Sequence, residues 1–92
     1  MQQNWEIVNR ASMVKARYEH RLMRYPNVIG VGVGLRHQRG QVTNEVCIVV
    51  MVRHKVPPDD LDLNDRLPEN LEGIPVDVRE VGDIETLGKD AL

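Results

Sequence analysis

The spacing of hydrophobic positions in this chain changes period partway along. Ile7, Ala11, Val14, Tyr18, Leu22 and Tyr25 recur at steps of three and four, one stripe of a 3.6-residue spiral. This predicts a helix over residues 5–25, capped by Asn4 and ended by Pro26, which biases Tyr25 away from helical backbone. After Pro26 the period shortens. Residues 28–36, which include "VIGVGVGL", and 42–53, which include "EVCIVVMV", predict the two strands of a β-hairpin over 28–53, with "HQRGQ" as the turn between them. The second run is apolar at every position from Val46 to Val52, as a central strand covered on both sides would be. Residues 54–73 are polar and broken by Pro57, Pro58 and Pro68, and Asp59–Arg66 within them predicts a short helix with Leu61 and Leu67 pointing inward. "IPVDVREV" (74–81) alternates, with Ile74, Val76 and Val78 on one face and Asp77 and Arg79 on the other. That is a third strand with one wet face, which suggests an edge position. Residues 82–92 read as a tail.

The expected architecture is α+β: one domain of two layers, an N-terminal helix packed on a small sheet made of the hairpin and the third strand. Whether that strand lies beside the first or the second is open. Within the first strand Gly30, Gly32 and Gly34 fall two apart. A phosphate-cradling loop needs glycines in a turn that feeds a helix N-terminus, in the spacing G-x-G-x-x-G or closing on G-K-S/T. Here "LRHQRGQ" leads into another strand, so the phosphate reading fails. Strand geometry gives the better account: the glycines clear one face while Ile29, Val31, Val33 and Leu35 fill the other. A two-residue turn at Arg39–Gly40 would set Gly32 opposite Cys47 and Gly30 opposite Val49. The helix, with its single stripe, most naturally covers the bulky face. The glycine trough then needs a lid from a neighbouring subunit, another domain, or the 54–73 segment and the tail; if the helix packs into it instead, the glycines are purely structural.

Composition thins the core without changing the fold. Among 92 residues there is no Phe, one Trp and two Tyr, so the interior is built from Val, Ile, Leu and Met. A thin aliphatic core makes oligomerisation or docking a source of further stability. The single Cys47 cannot form an internal disulfide, the N-terminus lacks the features of a signal peptide, and no apolar run spans a bilayer. The expected setting is cytoplasmic, away from membranes.

Charge divides the chain. Residues 1–55 carry a net +6 and residues 56–92 a net −8. Mutual pairing of the two halves is the simpler account; contact of the basic half with nucleic acid is the other. For the second, Arg10, Arg17, Arg21 and Arg24 line the flank of the helix stripe, although the strands offer no aromatics for stacking. Trp5, Ala16 and Met23 lie on the far side of the helix from its stripe.

No catalytic constellation assembles. His37 and His54 belong at opposite ends of the hairpin, Cys47 sits mid-strand among apolar residues, and Ser12, the only serine, lies in the helix with nothing to activate it. The carboxylates of "PPDDLDLNDRLPENLE" lack the central glycine of a calcium loop. The expectation is no enzyme, no metal and no cofactor.

"YPNVIGVGVGLR", "EVCIVVMVRHKVP" and "LPENLEGIPVDVREVG" together resemble the segment that precedes the protease domain in trypsin-like serine proteases of the narrow-leaf type, found in bacteria and plants. The resemblance covers about residues 26–82. It departs at Val76-Asp77-Val78, where the family pattern has a threonine first. It implies a non-catalytic accessory domain, here as a stand-alone chain, with no catalytic residue to carry over. The resulting expectation is a protein-interaction or assembly module, homo-oligomeric or docked to a protease-like partner through Gly30, Gly32, Gly34, Trp5 and Met23. Nucleic-acid binding through the arginine flank and propeptide-like protease inhibition are the alternatives.

Overall fold

A computed structural model describes the backbone of residues 2–82 and the side chains from Trp5 to Gly82. The tail expected over 82–92 lies, from residue 83 on, outside the described residues. The first element, α1 (Gln2–Leu22), starts before Asn4, which is therefore an interior residue and not the cap. Gln2 and Gln3 are good helix formers with no turn signal near them, so the helix extends backward through them. It ends three residues earlier than expected. Arg24 and Tyr25 donate their amides to Arg21 and Leu22, tightening the exit, and Asn27 turns the chain with φ 76°. Asn27 then fastens this exit to the end of the second strand: its side-chain amide donates to the His54 carbonyl and its Oδ1 accepts from the His54 amide.

The sheet has the order β1-β2-β4-β3, with β1 at Val28–Gln38, β2 at Gln41–Val52, β3 at Asn70–Leu71 and β4 at Ile74–Glu80. β2 is central, antiparallel to β1 and parallel to β4. The third strand of the sequence reading is thus β4, beside the second strand, and it is not an edge along its whole length. The two-residue strand β3 pairs with its start through a turn at Glu72 and Gly73, both with positive φ. The short helix expected over Asp59–Arg66 is instead two single 3₁₀ turns, Pro58–Asp60 and Leu63–Asp65. Leu61 and Leu67 are part-buried as expected, whereas Leu63 is exposed.

The hairpin turn is at Arg39–Gly40, both in left-handed backbone, as a two-residue turn of right-handed strands requires. The pairing nevertheless differs from the expected one. Gln38 faces Gln41 and His37 faces Val42, but Leu35 then faces Val46, because three residues of β2 oppose a single one of β1. This bulge moves the register by two, so Gly34 faces Cys47, Gly32 faces Val49 and Gly30 faces Met51. An even shift leaves every side chain on its expected face. A second irregularity at Ile29 lets Val28 face Val52.

The helix covers the bulky face. Ala11, Val14 and Leu22 pack with Val46, Ile48, Val50, Val52 and Ile74, and Val8, Tyr18, Val31, Val33, Val76 and Val78 close around them. Ile7 stays exposed and Val8 takes the first packed position. Trp5, Glu6 and Ile7 are all exposed, so packing begins only at the second helical turn.

Candidate interaction surface

The other face of the sheet carries the three glycines. They lie beside Met51, Val49 and Cys47 of β2, and beyond these come Arg79 and Asp77 of β4, opposite Met51 and Val49. The glycines are not equivalent. A Cβ at Gly30 would stand 2.9 Å from the Met51 methyl, and one at Gly34 would stand 3.2 Å from a Val49 methyl. At Gly32 none of the described residues lies within 4 Å. Two of the glycines therefore seat side chains that lean across from β2, and only the middle one leaves an open notch.

Asp77 and Arg79, expected to face water, are part-buried at 14% and 27% side-chain exposure. They reach over β2 to β1 at the place where the bulge interrupts regular pairing. The His37 amide donates to Asp77 Oδ2 at 2.9 Å, and the Arg79 guanidinium donates to the Leu35 carbonyl. Arg79 Nε also donates to Asp77 Oδ2 at 3.1 Å. Backbone groups near a bulge need partners from outside the ladder, and here β4 side chains supply them. Among the described residues the trough, expected to take a lid from another subunit, another domain, or the crossover and tail, is partly filled by the sheet's own Val49 and Met51 and bordered by Asp77 and Arg79, while the tail lies, from residue 83 on, outside the described residues. Cys47 is fully buried beneath this face, and burial, with the Asp77 charge adding to it, pushes its thiol upward. Such a thiol is a poor nucleophile.

The arginine flank divides. Arg17 grips the Glu72 carboxylate with two hydrogen bonds, of 2.7 and 3.2 Å, and Arg10 donates to the Glu72 carbonyl. Hydrogen bonding to Arg17 first, and to Tyr18 next, holds the Glu72 carboxyl below its ordinary range. The same carboxylate, through hydrogen bonding and charge, raises Arg17 and Tyr18. The basic and acidic halves meet here as the simpler reading of the charge division expects. Arg21 and Arg24 instead border a shallow depression with Tyr25, Pro26, Asn64 and Asp65.

Trp5 and Met23 are both exposed on the outer side of α1, on one line because they are five helical turns apart, about 27 Å. The glycines lie across the sheet from the helix. The structure therefore groups Gly30, Gly32 and Gly34 on one side of the molecule and Trp5 and Met23 on the other. A further feature escaped the sequence: an apolar groove of about 550 Å³ between the crossover and β4, walled by Val56, Leu61, Leu67 and Val78. The leucines of the crossover signalled burial, but not that they would stop short of closing over Val78.

Among the described residues no cluster of three or more His, Cys, Asp or Glu is placed to hold a metal ion. No described helix is long and apolar enough to cross a membrane.

The arrangement is that of a small helix-on-sheet α+β domain whose polar side chains brace its own backbone. The chain belongs to the NARROW LEAF 1 N-terminal domain family, which it matches over residues 10–83. The match takes in most of α1 as well as the strands on which the sequence resemblance rested. No curated protein matches the chain.

Proposed function

We propose that this domain is a non-enzymatic protein-interaction and assembly module that self-associates or docks to a protease-like partner. The observation that carries the reading is β1. Among the described residues it is the outermost strand of the sheet, eleven residues long, with neither Pro nor Lys to blunt it, and its only open notch is at Gly32. An edge strand presents unpaired N–H and C=O groups to any extended segment, and natural proteins usually guard such edges. The family's description as an N-terminal domain supports a role against further protein. A non-enzymatic role is supported by the buried, weakly acidic Cys47 and by Asp77 and Arg79 being committed to β1 backbone. Nucleic-acid binding has less support, since Glu72 engages two of the four flank arginines.

The test is titration of the whole chain with the catalytic domain of a narrow-leaf-type protease, followed by sedimentation velocity. The expected result is a complex that Gly32→Lys weakens at least tenfold, because the lysine puts charge into the notch where there is room for it. Unchanged circular dichroism and thermal midpoint would show that the variant still folds. A chain that binds neither this domain nor itself up to high micromolar concentration would overturn the reading.

A further inference from the structure

The outward side of α1 is unusual for a helix face in water. Trp5, Asn9, Ser12, Ala16, His20 and Met23 follow one another along it, all exposed and none of them Asp, Glu, Lys or Arg. Met13 sits beside them at 61% exposure, and Trp5 is at 67%. Solvated helix faces are ordinarily charged. The reason for the gap is visible on both flanks. Arg10 and Arg17 on one flank are drawn down to Glu72, and Lys15 and Glu19 on the other pair with each other at 3.2 Å. Arg21 lies about 60° further round towards the packed face than Arg24, so the charges left directly beside the stripe are one acid at its start, Glu6, and one base at its end, Arg24.

Glu6 and Arg24 are eighteen residues apart, as are Trp5 and Met23, and eighteen residues make five complete turns of 3.6. Each pair therefore lies on a single line along the helix, at opposite ends. Met23 still donates to the Glu19 carbonyl at 2.9 Å, which carries the helical geometry past Leu22. A two-fold axis across the middle of the stripe would reverse one copy against the other. It would set Trp5 against Met23 of a second copy and Glu6 within reach of that copy's Arg24, each contact occurring twice. Ser12 and Ala16 would cross at the axis, where small side chains permit close approach of the helices. Tryptophan on a methionine sulfur is itself favourable.

We propose that the outer face of α1 is the seam of an antiparallel homodimer of this chain, fixed by Trp5–Met23 packing and by Glu6–Arg24 pairing across the two-fold axis. This rests on the reading of the domain as an assembly module and assigns self-association to α1, leaving β1 free for a different partner. The seam is short and its core small, so association is on the order of 10–100 μM.

Sedimentation equilibrium of the whole chain tests it. The wild type forms a dimer, and Trp5→Ala weakens it strongly. Glu6→Arg and Arg24→Glu each weaken it by about tenfold, since two attractions become two repulsions. The double variant Glu6→Arg/Arg24→Glu restores the affinity to within about twofold, because reversal regenerates both pairs. Gly32→Lys leaves the dimer unchanged. A wild type that is monomeric throughout, single charge reversals without effect, or a double variant no better than the singles would each overturn the seam. So would a dimer broken by Gly32→Lys and untouched by Trp5→Ala. A monomeric wild type that still binds the protease domain would overturn the seam alone and leave the docking role standing.

Discussion

Gly30, Gly32 and Gly34 share a strand and a face, yet each answers to a different neighbour. Alanine at Gly32 enters open space and reduces the freedom of the unfolded chain, so Gly32→Ala is expected to stabilise by about 0.5–1 kcal/mol. Alanine at Gly30 meets the flexible end of Met51, which can swing away, and costs less than about 1 kcal/mol. Alanine at Gly34 meets the stiff, buried Val49 and costs about 1–3 kcal/mol. Urea denaturation of the three variants checks the ranking; equal effects would show that Val49 and Met51 do not lean as described. The period-two glycines were readable as a cleared face from spacing alone. Their individual roles were not, because they depend on a register set by a bulge and on side-chain directions in the adjacent strand. Asp77 makes the same point. Alternation placed it correctly opposite Val76 and Val78, but its reach to the His37 amide required β4 to lie beside β2. Asp77→Ala is expected to lower stability by about 1–3 kcal/mol, because it strips a partner from that amide and from Arg79. Asp77→Asn, which keeps an acceptor, should lose less.

Among the elements, α1 and the β3–β4 turn are tied by Arg10, Arg17 and Glu72, and this link has a pH dependence of definite sign. The Glu72 carboxyl is held below its ordinary value, so its contribution is complete above the carboxylate range. It is lost as pH falls through the depressed value. The stability difference between wild type and Glu72→Gln should therefore favour the wild type at neutral pH and vanish in acid. Urea midpoints measured across that range check it. The difference is small even at neutral pH, since the pair is largely exposed. The hairpin has its own fastening: Thr43 Oγ1 donates to the Arg36 carbonyl and accepts from the Glu45 amide, holding the bulge closed. Thr43→Val should cost about 1 kcal/mol and speed amide exchange around Arg36 and Glu45, read by hydrogen exchange. The helix, the hairpin and the alternating strand were all legible as elements. The strand β3 was not, since two residues are too few for any periodicity. The crossover forms only isolated 3₁₀ turns in place of the expected helix, because three prolines and scattered acids interrupt it.

For the whole molecule, the opposite charges of the two halves find a place to meet at Arg17 and Glu72, which lowers the charge available to an outside polyanion. Arg21 and Arg24 alone give too few phosphate contacts for binding that survives salt. A gel shift with duplex DNA or RNA should be absent at about 150 mM salt; a persistent shift abolished by Arg21→Gln and Arg24→Gln would restore the nucleic-acid reading. The small aliphatic core also makes stability sensitive to association. If copies join through α1, the thermal midpoint should rise with protein concentration across the micromolar range.

The sequence by itself determined the long helix, the two hairpin strands, the alternating strand and the sheet face that the glycines clear, because these follow from local periodicity and from residues with restricted backbone. Only the tertiary structure decided that β4 runs parallel beside β2, that a bulge moves the hairpin register by two, and which polar groups meet across the sheet. Those choices rest on contacts between residues far apart in the chain, such as Asp77 with His37 and Arg17 with Glu72, whose geometry exists only once the layers are packed.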